Sequence, residues 1–208
     1  VIEASTSSAK AMLYHGKTDT YEVHQIKYPA SVSDVATQDI QGVMDTVYAC
    51  AKELMSRTTA DVDIIAMASV WHSYLLLDEK GDPVTKVKTW ADTRAARTAG
   101  KYRDDPTVRQ DFYQRTGCNI HSKYPCWKWV HDRRTLDLPE HVRISSVPEY
   151  LFETLTGERS VSRSVASGTG FLNIHTLAWD REVLDFCGLS GDQLSTLKEY
   201  EYCGRLTK

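Results

Sequence analysis

One amphipathic segment constrains this chain more than any other. Ile40, Val43, Met44, Val47, Tyr48, Ala51, Leu54 and Met55 fall at three- and four-residue steps, so a helix there is apolar along one face over about four turns. Such a face must be buried against another layer, and the flanking segments supply one. Ala11 to His15 is apolar-rich, Gly16-Lys17-Thr18-Asp19 is turn chemistry, and Tyr21, Val23 and Gln25 alternate with Glu22, His24 and Ile26. That pattern predicts a β-hairpin ahead of the helix. Behind it, Asp63 to Val70 is apolar nearly throughout, as a central strand covered on both faces requires. Thr37 is the predicted N-cap, with Asp39 in the first turn, where the helix dipole favours an acid. The order strand, strand, strand, helix, strand belongs to an α/β domain. It is unlike a Rossmann unit, which passes from its first strand straight to a helix.

Further elements follow from local signals. Asp105-Pro106 starts a helix that Gly117 ends. Ser146 and Glu149 have capping-box spacing ahead of a helix over Tyr150 to Leu155, with Gly157 at its exit. Trp179 to Cys187 reads as a short helix closed by Gly188. Neither repeat nor linker divides the 208 residues, a length that suits one domain or one lobe of something larger. A net charge of -3 offers no basic face, so no nucleic-acid partner is expected. The longest apolar runs are too short to span a bilayer, so no membrane partner is expected either. Five scattered cysteines without a Cys-x-x-Cys pair point to a reducing, cytoplasmic setting and to small buried hydrophobes.

Three segments carry residues with chemical capacity. Ser5-Thr6-Ser7-Ser8, with Lys10 close behind, is either an ordinary serine-rich turn or a cradle of amides and hydroxyls for phosphate oxygens. It is not a Walker A loop. Trp71-His72-Ser73 leaves the predicted strand at its C-terminal end, where open α/β sheets bind ligands. There Trp71 either joins the core or offers an apolar face, and His72 is either a satisfied surface residue or a hydroxyl partner. In Thr89-Trp90-Ala91-Asp92-Thr93-Arg94-Ala95, Trp90 can stack on substrate carbons and Asp92 can accept from paired hydroxyls. Arg94 can lock Asp92 or hold an anion.

Together with Ser164 to Asn173, and in this order and spacing, these segments resemble the N-terminal half of the FGGY-family carbohydrate kinases along nearly the whole chain. The resemblance implies an α/β ribonuclease-H/actin-like ATPase fold, one lobe with a mixed central sheet flanked by helices. It implies that residues 1–208 are the sugar-binding domain and that a C-terminal nucleotide-binding domain is not in this chain. In that family the first turn carries Asp-x-Gly-Thr-Ser/Thr beside the γ-phosphate and its magnesium. Glu3 stands at the Asp position and Ser5 at the Gly position, where a Cβ enters a turn expected to need positive φ. By the same likeness Thr6, Ser7, Ser8 and Lys10 face phosphate or nucleotide, Glu3 faces Mg2+, and Trp71, His72, Trp90, Asp92 and Arg94 hold substrate. The stretch from Thr116-Gly117-Cys118-Asn119 to Lys128 resembles a loop that closes over the sugar and the helix that follows it. Ser162 stands where relatives usually have Asp.

The implied reaction joins ATP, with Mg2+, to a sugar, polyol or sugar acid. No catalytic residue is expected here, since the family's general base falls past residue 208. This fragment alone is therefore expected to be inactive, with ATP bound through the missing domain. His72-Ser73 and the Thr89–Ala95 motif are nearer the gluconokinase-like pattern than the xylulokinase-like one, and Arg94, His121, Lys123 and Lys128 supply cations for a carboxylate. Gluconate is the first choice and xylulose the second. A non-catalytic sugar-binding lobe of a degenerate kinase is the competing class, and a homodimer is left open.

Overall fold

The computed structural model describes residues 1–207. Ile2–Ala4 (β1), Ser8–His15 (β2) and Thr20–Lys27 (β3) form an antiparallel meander, with the expected turn between β2 and β3. A short strand, Thr37–Gln38 (β4), precedes the long helix Ile40–Met55 (α1). Asp39, and not Thr37, caps that helix, accepting from the Gly42 amide at 3.0 Å. Thr37 is engaged elsewhere, its amide donating to Asp34 Oδ1 at 2.6 Å. Both are good capping residues, and the cap belongs to the one directly before the apolar stripe. Ile40, Val43, Met44, Val47, Cys50 and Leu54 form the buried face, while Tyr48 and Met55 stay exposed.

Met67–Ser69 (β5) pairs parallel with β1, giving the sheet order β3-β2-β1-β5 of the ribonuclease-H/actin-like fold. The strand expected over 63–70 shrinks to these three residues. β1 offers only three ladder positions, and no strand lies beyond β5 among the described residues. The segment ahead of β5 is exposed, Ile64 to 76%.

Leu75–Leu77 (β6), Val87–Lys88 (β7), Ala96–Arg103 (α2), Pro106–Thr116 (α3) and Pro125–Thr135 (α4) follow, then Arg143–Ser145 (β8) and Val147–Thr156 (α5). β6 pairs antiparallel with β8, and its three leucines are fully buried. Side chains alternate across a strand, so Leu75 and Leu77 enter the core beneath α1, while Leu76 enters a second core around α3 and α4. Asp105 caps α3 and Ser146 caps α5; Gly117 (φ 66°) and Gly157 (φ 73°) end them in the left-handed conformation that glycine tolerates.

Ser160–Ser162 (β9), Arg163–Ala166 (α6), Leu172–Asn173 (β10), Ala178–Trp179 (β11), Arg181–Cys187 (α7) and Thr196–Lys198 (β12) complete the chain. The last helix begins at Arg181 rather than at Trp179. Asp180 caps it, accepting from the Val183 amide at 2.9 Å, and Trp179 pairs with Leu172 in β11. Cys50, Cys118, Cys126 and Cys187 are buried as expected, whereas Cys203 is exposed. No described helix is long and apolar enough to cross a membrane.

The cap assignment is testable by urea denaturation. Asp39→Ala is expected to lower unfolding free energy by about 1 kcal/mol, and Thr37→Ala to stay within about 0.5 kcal/mol of the parent. The reverse ranking would return the cap to Thr37.

Candidate substrate and phosphate site

The parallel register sets Ala4 beside Ser69, so the loops leaving β1 and β5 emerge side by side at the C-terminal ends of their strands. The first loop is tightly braced. The Ser5 amide donates to Ser8 O at 3.0 Å, closing the turn. Buried Gln38 donates through Nε2 to Ser5 O and Thr6 O, both at 3.0 Å, and Ser33 Oγ donates to Thr6 O at 2.9 Å. No residue from Ser5 to Ser8 has a positive φ. Ser5 therefore fits this turn without the strain its Cβ was expected to bring.

The structure sorts the expected phosphate-facing residues. Thr6 and Ser7 lie on the turn, with Ser7 exposed. Ser8 does not face outward: it is buried in β2, and its hydroxyl accepts from Gln25 Nε2 at 3.0 Å. Lys10 sits opposite Glu3 in the β1–β2 ladder and donates through Nζ to Glu3 Oε2 at 3.0 Å. One carboxylate beside one ammonium suits a Mg2+ that brings most of its oxygens from phosphate and water. Glu3 would hold such an ion and Lys10 would sit against the phosphate. Among the described residues no group of three or more His, Cys, Asp or Glu side chains could form a dedicated metal cage.

The second loop carries an aromatic stack. Trp71 and His72 lie with ring centroids 4.6 Å apart and planes at 12°, and Tyr124 meets His72 edge-on at 4.9 Å. Trp71 is 52% exposed and donates through Nε1 to Val165 O at 3.3 Å. His72 adopts φ 59°, a conformation that costs a non-glycine residue on the order of 1 kcal/mol and that clusters at functional sites. Its Nδ1 lies 2.8 Å from Gly168 O. A carbonyl only accepts, so Nδ1 carries the proton and Nε2 is left as an acceptor. Burial holds the imidazole below its ordinary range against the Gly168 bond, and the nearby Lys123 and Lys128 charges add to this. His72 is thus neutral near pH 7.

Trp90 is 51% exposed and reaches the first loop, donating through Nε1 to Thr6 Oγ1 at 3.3 Å. Asp92 is only 2% exposed. Arg94 encloses it, its amide donating to Oδ1 at 2.9 Å and Nε to Oδ2 at 2.7 Å, with Nη2 also on Oδ2. Burial pushes the Asp92 carboxyl up, but these Arg94 bonds outweigh it and leave the group below its ordinary range. The Arg94 side chain remains largely exposed beyond this pair. Arg94 thus locks Asp92, whose two oxygens it already occupies, and what faces outward is Arg94 rather than the carboxylate expected to meet hydroxyls.

The model for the N-terminal domain of the FGGY family of carbohydrate kinases matches residues 1–208. The chain belongs to the FGGY family. A gluconokinase of Bacillus subtilis (strain 168) is 30% identical over 204 residues, covering 94% of this chain and 39% of the relative. The crystal structure of gluconate kinase from Lactobacillus acidophilus superposes with a TM-score of 0.88 at 24% identity, over 95% of this chain and 41% of that one. Plasmodium falciparum glycerol kinase with ADP gives 0.88 at 18% identity, over 100% and 44%. The solved structures establish the shared fold. The chain spans only 39% of the length of the Bacillus gluconokinases it resembles.

Two residues of this candidate site lie in family-like segments to which the sequence assigned no role at His72. Tyr124 and Gly168 meet His72 only through the fold. A Cβ on Gly168 would lie 2.2 Å from Trp71 Nε1, so glycine is required there by close approach and not by backbone conformation. Gly168→Ala is expected to displace the Trp71 indole from His72, seen as a shift of the Trp71 indole N–H resonance with the fold retained. An unmoved resonance would show that the helix α6 end yields instead.

Proposed function

We propose that this chain is the sugar-binding N-terminal lobe of an ATP-dependent carbohydrate kinase whose acceptor is a sugar acid such as gluconate. The observation that carries the reading is the Trp71–His72 stack beside the Ser5–Ser7 turn. A half-exposed indole face suits the carbon chain of a carbohydrate, and a neutral imidazole with Nε2 free to accept suits its hydroxyls. Trp90 and Arg94, the latter held in place by buried Asp92, complete the substrate side, and Glu3, Thr6, Ser7 and Lys10 the phosphate side. Phosphoryl transfer needs positioning, magnesium and a base together. The reading assigns the base and the adenine site to a nucleotide-binding domain outside these residues. ATP and Mg2+ are accordingly its cofactors.

For the acid over a neutral ketose, the gluconokinase likeness and the exposed Arg94 guanidinium are the support. Of the four cations counted in the sequence, Lys128 is buried and Lys123 lies over the Tyr124 ring at 4.9 Å. A second reading, a binding lobe without catalysis, is favoured by one feature: Glu3 is already paired with Lys10.

Three measurements test the proposal. With the full-length protein, kcat/KM for gluconate is expected to exceed that for xylulose by about ten- to a hundredfold, the worth of one charge-assisted hydrogen bond. Equal or reversed values exclude the acid preference. The 208-residue chain by itself is expected to release no ADP in response to any sugar. Asp92→Ala in the full-length protein is expected to cost sugar use about 1–3 kcal/mol and to leave the KM for ATP unchanged. An equal loss for both would make Asp92 purely structural.

A further inference from the structure

Lys128 lies on α4 and is only 1% exposed, yet no carboxylate bonds to its ammonium. Nζ donates instead to two backbone carbonyls, Asp92 O at 3.2 Å and Ser122 O at 2.6 Å. The nearby acids are already engaged: Asp92 with Arg94, and Asp132 with Lys88. Asp92 and Asp132 favour its charge, Lys88 and Arg94 oppose it, and its own charge lowers His72 and His121. Burial dominates and brings its pKa down to about 8. A buried cation without its own counter-ion weakens a fold, so its value must lie elsewhere.

The two carbonyls show where. Asp92 O belongs to the loop of Trp90 and Arg94. Ser122 O belongs to the loop that ends in Tyr124, the ring packed edge-on against His72. Among the described residues, Lys128 makes the only hydrogen bonds that join these two loops.

We infer that Lys128 is a positioning residue whose buried ammonium ties the Thr89–Ala95 loop to the Gly117–Tyr124 loop and so sets the spacing of the substrate-facing side chains. The inference rests on the carbohydrate reading of that site. As pH rises through about 8 the ammonium is lost and the bridge weakens. Sugar affinity then falls. Fold stability follows the opposite course: between that value and the ordinary lysine range the unfolded chain binds more protons, so this group makes stability rise with pH. Opposite trends in one pH window distinguish a positioning role from a structural one.

The test uses the full-length protein with gluconate as probe and Lys128→Met as the variant, a near-isosteric side chain without charge. The expected result is a Tm equal to or above the parent's, a KM for gluconate raised about tenfold, and a KM for ATP within about twofold. The alkaline fall in kcat/KM for gluconate near pH 8 should also disappear. An unchanged KM for gluconate, or equal losses for both substrates, overturns the inference. If the variant does not fold, the parent decides: gluconate affinity that is flat from about pH 7 to about pH 9 overturns it. If the parent phosphorylates no sugar, the carbohydrate reading fails on its own. The bridge is then judged by the Trp90 indole N–H resonance, and no shift in Lys128→Met or across that pH range overturns it as well.

Discussion

The three-residue parallel ladder between β1 and β5 is the contact on which the site depends. It aligns Ala4 with Ser69, and the Ala4 carbonyl then accepts twice, from the Val70 amide at 2.9 Å and from Ser69 Oγ at 3.1 Å. The serine turn and the Trp71–His72 loop both leave the sheet from this point. A slip of one residue would turn Glu3 to the opposite face and carry Trp71 and His72 away from the serine turn. Register here is held from both sides: Ile2 and Ala4 are buried in the core beneath α1, and the β1–β2 pairing places Glu3 against Lys10. Apolar burial and one cross-strand ion pair therefore choose the same alignment.

The third loop, from Thr89 to Ala95, is anchored by charge. Lys88, the residue before it, forms an ion pair with Asp132, both nearly inaccessible to water. Tyr74 lies in the same core, and burial together with the Asp132 charge pushes its phenol well above the ordinary range, so it stays neutral. Replacing such a pair by apolar residues is often neutral, while removing one partner costs about 3–5 kcal/mol. The contribution is positional. β7 is only two residues long, and the pair pins it to α4, from which Lys128 reaches the same loop. Two buried lysines with different acceptors thus place the segment bearing Trp90 and Arg94.

What could be read in the sequence was what local chemistry decides. Asp105, Gly117, Ser146 and Gly157 act within a few residues of themselves, and the structure places each as its signal indicated. The α1 stripe was legible because it repeats over sixteen residues. What could not be read depends on partners distant in the chain. The apolar run before Met67 gives composition but not burial, because burial requires a neighbouring strand. Ser8 has the same local chemistry as Ser7, and only the pairing with β3 turns it toward Gln25. Tyr124 and Gly168 lie within family-like segments, but nothing in those segments pairs them with His72; the fold brings Gly168 to His72 across 96 residues.

The departures from the family pattern are resolved in different ways. Ser162 caps α6, its hydroxyl accepting from the Val165 amide at 3.2 Å, which is the bond a short acidic side chain would make in that place. Ser5 occupies a turn whose backbone stays in the ordinary region, so its Cβ is accommodated. Both changes preserve backbone geometry. Ser162 gives up a carboxylate charge, whereas Glu3 keeps one and moves it, its longer side chain meeting Lys10 across the ladder. A half-buried pair of this kind, with about a third of each side chain exposed, is held by only about 1 kcal/mol. The pair is therefore easily separated, and it lies on the two strands that enter and leave the serine turn.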